Sequence, residues 1–239
     1  MSKKLLILPG WGSNSERWQR VKELLEKNRI EALILDLPGF GQTSSPEKPW
    51  SREDYINWIF QKIKEKNWDE FNLLGHSFGG GLAVKMATNF PGKIEKLILL
   101  SPAIIKRRSI KTYLFYWIAY LGKKIFSLPG FRIFYPQVQK LIYILAGTRD
   151  YYLADGMMKE TMKKIWKEEP LEELLEKIKI KTLILWGKRD DVLPLKDAFF
   201  LKEKIKNSEL KIIPKARHSP HREAPEELAE ILVQFIACE

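Results

Sequence analysis

The sequence predicts an α/β protein: a doubly wound, mostly parallel sheet carrying a helical cap insertion. Three observations predict it. Short Leu- and Ile-rich runs recur with little alternation, helical patterns fill the gaps, and the rhythm breaks between Ile104 and about Leu175. A strand covered by helices on both faces needs apolar side chains on both, so unbroken apolar runs mark buried parallel strands. Parallel neighbours require crossovers, and the alternation of strand and helix supplies them with the usual right hand.

Six runs read as strands: Leu5–Leu8, Ala32–Asp36, Phe71–Gly75, Lys96–Leu100, Thr182–Trp186 and Leu210–Ile213. Most end at Gly, Pro, Asp or Ser, which puts turns at their carboxyl ends. Helices are predicted over Ser15–Lys27, Ser51–Lys66, Ser77–Asn89, Pro194–Lys206 and Ala224–Ile236, where apolar residues recur at three- and four-residue spacing. Ser51 followed by Asp54 reads as an N-cap with an acidic first turn. The stretch from Tyr113 to Trp166 holds 13 aromatic residues, with helical spacing and no clear strand. The expected organisation is therefore a core of residues 1–103 and 176–239, interrupted by a helical cap at 104–175.

With 239 residues the chain suits one large domain with an insertion. Its one cysteine, Cys238, excludes an internal disulfide framework, and a cytoplasmic location is expected. Lys3 and Lys4 imitate the start of a secretion signal, but the apolar run Leu5–Leu8 is too short and reads as a buried first strand. The longest later run, Tyr113–Leu121, is about half the ~20 residues a membrane span needs. The formal charge of +11 is concentrated: Ile104–Lys167 holds 13 basic and 3 acidic residues, or +10. Such a surface suits an acidic acyl-carrier protein or anionic lipid. No nucleic-acid motif accompanies it, so nucleic acid is not an expected partner.

In open α/β sheets ligands bind at the carboxyl ends of the strands. There the chain places Gly75-His76-Ser77-Phe78-Gly79, after one predicted strand and at the head of a predicted helix. This is the context of a nucleophile elbow, in which a serine occupies a sharp turn and small neighbours let strand and helix approach. The helix N-terminus favours negative charge developing beside it. A serine hydroxyl is a weak nucleophile and needs a base. The chain has three histidines: His76 adjoins the serine and should point away from it, whereas His218 and His221 follow the last strand. His218 falls nearer the end of the sheet, and His221 is expected as a loop or helix-cap residue. The base needs an acid to orient it. Asp190 and Asp191 compete after the fifth strand; adjacent side chains diverge, so one faces the histidine loop and the other solvent. Asp190 is the choice and Asp191 the reserve. An oxyanion needs two backbone donors: the amide of Phe78, next to the serine, and that of Trp11 in the glycine-rich loop Pro9-Gly10-Trp11-Gly12. Asp36, after the second strand, is expected to tie down its own turn. No cluster of His, Cys, Asp and Glu has metal-ligand spacing, and neither metal nor cofactor is expected.

These segments, with Asp36-Leu-Pro-Gly-Phe-Gly41, Gly187-Lys-Arg-Asp190, Pro194 and His218-Ser-Pro-His-Arg-Glu-Ala-Pro225, resemble the α/β-hydrolase superfamily. Within it the chain is similar to small carboxylesterases of the pimeloyl-acyl-carrier-protein methyl ester esterase type. The family's chain order of nucleophile, acid, histidine selects His218 over His221. The resemblance implies a lid at the insertion and assigns Ser77, Asp190, His218 and the amides of Trp11 and Phe78 to the roles above. One departure is Pro9, where the family usually has histidine before the glycine of the oxyanion loop. The expected reaction is hydrolysis of small-molecule carboxylic esters with short to medium acyl groups. Trp11 and the insertion residues Tyr113, Phe115, Tyr116, Trp117 and Tyr120 are expected to line an apolar acyl pocket, although large aromatics serve equally well as a lid's own core. A lipase, C–C bond hydrolase, amidase or haloperoxidase-like activity, or a non-catalytic binding protein on the same fold, stays open beside it.

Overall fold

A computed structural model of the chain describes residues 3–106 and 155–237. Six parallel strands form one sheet: β1 (Lys3–Leu8), β2 (Ile30–Ile34), β3 (Phe71–His76), β4 (Ile94–Leu100), β5 (Lys181–Gly187) and β6 (Ser208–Ile213). Their order is β2-β1-β3-β4-β5-β6, with every neighbouring pair parallel. The helices are α1 (Gln19–Lys27), α2 (Arg52–Glu65), α3 (Phe78–Asn89), α4 (Gly156–Lys167), α5 (Lys196–Lys204), α6 (Pro220–Glu223) and α7 (Pro225–Ala237).

The sheet divides the core in two because strand side chains alternate between faces. Leu6, Leu8, Leu73, Leu97, Leu99, Ile184 and Trp186 face α2, α3 and α5. Leu5, Ile7, Leu74, Ile98, Leu100, Leu183 and Leu185 face α1 and α7. All of these strand residues are fully buried, which explains why the sequence shows unbroken apolar runs rather than alternation. β1 lies between β2 and β3, so the chain reverses its winding direction at the β1/β3 boundary. That reversal opens the crevice in which a doubly wound sheet holds its ligand.

All six expected strands form, with shifted ends. β2 stops at Ile34, two residues before Asp36, because the Asp36 carboxylate is taken by loop amides instead. β3 runs on to His76, and β6 begins at Ser208. Ser15–Trp18 is a 3₁₀ turn leading into α1 rather than the first turn of an α-helix; the Asn14 side chain accepts from Arg17 N at its head. At α2 the expected cap is a full capping box: Ser51 Oγ accepts from Asp54 N, and Asp54 Oδ2 accepts from Ser51 N. Of the expected insertion, residues 107–154 lie outside the described residues. α4 lies inside its span, and Met158 and Ile165 of α4 join the core cluster that contains α2 and α3. Among the described residues no helix is long and apolar enough to cross a membrane.

Candidate active site

Ser77 sits between the end of β3 and the start of α3 with φ 51° and ψ −115°. A non-glycine residue pays strain for positive φ, and here hydrogen bonds hold the turn. Ser77 N–H donates to Leu100 O (3.2 Å), and Ser77 O accepts from Gly80 N (3.0 Å) and Ala103 N (2.9 Å). The surrounding glycines leave no room for side chains. A Cβ on Gly75 would lie 2.5 Å from Gly79 O, and one on Gly79 would overlap the Leu8 carbonyl. Backbone thus meets backbone where β1, β3 and α3 converge.

Asp190 and His218 reach the same point from the loops after β5 and β6. His218 Nε2 lies 3.2 Å from Ser77 Oγ, and His218 Nδ1 lies 2.9 Å from Asp190 Oδ2. Asp190 Oδ1 accepts from Val192 N (2.9 Å) and Leu193 N (2.8 Å). Burial alone would raise the Asp190 pKa; the bonds to His218 and to these amides outweigh it and hold the carboxylate below its usual range. The Asp190 side chain has no exposed surface, whereas that of Asp191 is 65% exposed and lies 4.0 Å from Arg217. The expected divergence of the two aspartates is therefore what the fold produces. A Cβ on Gly187 would overlap the Arg217 carbonyl, so this glycine lets the aspartate turn and the histidine loop touch.

The other two histidines also belong to this corner. His76 Nε2–H donates to His218 O (2.8 Å), and the His76 ring lies 5.1 Å from that of His218 and 5.0 Å from that of His221. His76 is buried against the loop after β1: a Cβ on Gly10 would lie 3.1 Å from His76 Nδ1. His221 differs from expectation. It lies within α6 and is buried, stacked on Trp18 at 4.1 Å with the rings 3° from parallel. Burial depresses both pKa values first, with neighbouring positive charge adding to it: His76 falls to about 3 and His221 to about 2. Both rings are neutral at ordinary pH.

The loop after β1 closes over the serine. A Cβ on Gly10 would lie 3.1 Å from Ser77 Cβ, so the loop backbone at Gly10 runs close beside the Ser77 side chain. Phe78 is the first residue of α3, so its N–H has no acceptor within the helix. The Trp11 ring packs edge-on against Phe40 at 4.9 Å and Phe78 at 5.2 Å. Asp36 fixes the loops around it: Oδ1 accepts from Ser15 N (2.5 Å) and Oδ2 from Gln42 N (3.0 Å).

A cavity of about 700 Å³ opens over Ser77 and His218, lined by Trp11, Phe40, Met158, Val192, Arg17 and Arg222 among others. Of the residues expected to line an acyl pocket, Trp11 lines this cavity, and Tyr113, Phe115, Tyr116, Trp117 and Tyr120 lie outside the described residues. Sequence reasoning missed Phe40, Met158, Arg17 and Arg222. Phe40 stands in a Pro-Gly-Phe-Gly turn and Arg222 in the segment His218–Pro225, so both had a local signal, whereas Arg17 and Met158 carry no motif. Among the described residues no group of three or more His, Cys, Asp or Glu side chains is arranged to hold a metal ion.

The fold and the three converging side chains define a class: doubly wound α/β proteins with a serine, a histidine and a carboxylate gathered at the switch point of the sheet. A family model described as alpha/beta hydrolase fold matches residues 3–130, and the chain belongs to that family. Monoacylglycerol lipase ABHD6 of Rattus norvegicus is 27% identical over 253 residues, covering 98% of this chain and 75% of the relative. Among solved structures, the esterase EaEST from Exiguobacterium antarcticum aligns with a TM-score of 0.75 at 22% identity, covering 99% of this chain and 92% of that one. A membrane phospholipase A, a bacterial virulence factor, aligns with a TM-score of 0.74 at 23% identity, covering 98% and 78%.

Proposed function

We propose that this protein is a serine carboxylesterase that works through an acyl-enzyme. The observation that carries the reading is the unbroken chain of contacts from Ser77 Oγ to His218 Nε2 (3.2 Å) and from His218 Nδ1 to Asp190 Oδ2 (2.9 Å). Ser77 Oγ attacks the ester carbonyl carbon while His218 Nε2 takes its proton. The oxyanion is held by the N–H groups of Trp11 and Phe78, helped by the positive end of α3. The imidazolium then protonates the leaving alkoxide, and water repeats the sequence on the acyl-enzyme. Asp190 keeps His218 in the tautomer with hydrogen on Nδ1 and offsets the charge that forms. Division into a core of residues 1–103 and 176–239 with a cap at 104–175 belongs to the same proposal. So do the narrower likeness to pimeloyl-acyl-carrier-protein methyl ester esterases and the docking of an acidic carrier protein or anionic lipid on the basic segment.

The test is a panel of p-nitrophenyl esters of increasing acyl length, with Ser77→Ala as the blank. Turnover by the wild type should fall by roughly 10⁴ or more in the variant. Equal turnover by both proteins refutes the proposal, and no turnover of any ester by the wild type leaves a binding protein on this fold. A second reading, hydrolysis of acylglycerols, is favoured by the apolar cavity wall of Trp11, Phe40 and Met158 and by the monoacylglycerol lipase relatives. Adding a monoacylglycerol series to the panel separates the two.

A further inference from the structure

The cavity over Ser77 is not uniform in chemistry. Its lining from the loop after β1, the loop after β2 and α4 includes Trp11, Phe40 and Met158. Its lining from the Ser15–Trp18 turn and from α6 includes Arg17 and Arg222. Those two elements are locked together by the stack of Trp18 on His221, and each arginine is the chain neighbour of one stacked ring. The arginines are therefore carried on one rigid joint, and both are exposed. Both positive charges reach His221, where they add to burial and to His76 in holding the ring neutral. Neither guanidinium has an ion-pair partner among the described residues. Two carboxylates, Asp155 in the lining and Glu223 next to Arg222 in the chain, are engaged elsewhere. Asp155, which also lines the cavity, accepts from Met158 N (2.7 Å) and Ser45 Oγ (2.7 Å), and Glu223 accepts from Arg217 N.

A second observation points the same way. Ser13 Oγ, His76 Nδ1 and His221 Nδ1 belong to residues that line this cavity, are buried, and have no hydrogen-bond partner among the described residues. Buried polar atoms in native proteins are usually satisfied, at a cost of about 1–3 kcal/mol each when they are not. Ser13 supplies a hydroxyl donor in the same lining as the two guanidinium groups, a set suited to an oxyanion such as carboxylate or phosphate, whereas His76 Nδ1, its ring hydrogen being on Nε2, is an acceptor and takes no part.

We propose that this pole of the cavity is a subsite for an anionic group on the ester substrate. Resting on the esterase reading, the inference names its substrate class: esters that carry a carboxylate or phosphate on the acyl or the alcohol side, with the apolar wall taking the chain between. Phosphate and carboxylate share the chemistry, and two substrate pairs distinguish their sources. The acyl-side pair is p-nitrophenyl hydrogen suberate against p-nitrophenyl octanoate. The alcohol-side pair is 1-octanoylglycerol 3-phosphate against 1-octanoylglycerol.

At low salt the ratio of kcat/KM, charged over neutral, should exceed about tenfold for one pair, the scale expected from two partly solvated ion pairs. In the double variant Arg17→Gln/Arg222→Gln that ratio should fall about tenfold, and 1 M NaCl should lower it in the wild type. Turnover of the octanoate by the double variant reports that it is folded; if it is not, the salt titration of the wild type decides. A ratio of one or less for both pairs, or a ratio indifferent to salt, overturns the inference. The esterase reading fails separately, if neither neutral ester is turned over by the wild type.

Discussion

Ser77 illustrates what one residue contributes and what it requires. Its φ of 51° is imposed by the turn between β3 and α3, and it aims the hydroxyl out of the sheet toward the histidine loop. The motif around it was readable because few sequences place Gly-x-Ser-x-Gly after a buried strand and before a helix. The neighbouring choice between Asp190 and Asp191 was not readable from residue type. It is decided by a turn in which Asp190 N–H donates to Gly187 O (3.1 Å) and the carboxylate caps the Val192 and Leu193 amides. Asp190→Asn keeps the shape but cannot accept the Nδ1 proton with a full charge, so kcat on a p-nitrophenyl ester should fall by about 10³–10⁴. Asp191→Asn, at an exposed position that makes no hydrogen bond to His218, should stay within about twofold. A reversal of these two results in steady-state kinetics would reassign the acid. Arg17 gave no sequence signal, and Arg222 stood in a quoted segment without a role, because an arginine in a loop or a short helix is usually only solvated.

At the scale of elements, α3 is the piece that most constrains its neighbours. Its first turn is Phe78-Gly-Gly-Gly81, a poor helix former by propensity, yet Gly79 and Gly80 each remove a collision. Gly79→Ala would push a methyl group into the Leu8 and Pro9 carbonyls, which are backbone and cannot rotate away. The expected loss is about 1–3 kcal/mol in a denaturant titration, with activity reduced because the oxyanion loop must move. A Gly79→Ala protein as stable as wild type would show that this junction is looser than described. A second joint ties α4 to α2: Glu168 accepts from Arg52 N (2.8 Å) and from the Arg52 guanidinium (2.9 Å), both side chains being largely shielded. Glu168→Ala should cost about 1–3 kcal/mol, more than a surface ion pair would, because an amide and a guanidinium lose their acceptor together. Unfolding midpoints unchanged by the substitution would discount the joint. The strands were legible because burial on both faces leaves a purely apolar signature. Their ends were not, since the shift at Asp36 depends on amides contributed by Ser15 and Gln42, distant in sequence.

For the molecule as a whole, the strand order sets the location of everything else. The reversal between β1 and β3 brings the loop after β1 against the serine after β3, and the returns after β5 and β6 supply Asp190 and His218. The alternation of strands and helices was enough to predict a doubly wound sheet with its site at the strands' carboxyl ends, but not the order of the strands. It could not tell that all three histidines of the chain would share one corner. That corner couples global stability to acid. His76 and His221 fold with pKa values near 3 and 2, whereas an unfolded histidine titrates near 6.5. Below pH 6.5 the unfolded chain therefore binds more protons than the native one, and stability must fall as the pH drops toward 3. The slope should approach about 1.4 kcal/mol per pH unit for each buried ring. The Tm should decline between pH 6 and 4, and less steeply in His221→Phe, which keeps the stack on Trp18; a flat profile in the wild type would refute the linkage. The same convergence gives the protein a built-in reporter. In a sample isotope-labelled at histidine alone, every imidazole resonance originates within one small volume around Ser77. Of the three rings His218 alone contacts the Ser77 hydroxyl, so the signal that jumps most when an inhibitor reacts with the serine identifies that ring without a single assignment experiment.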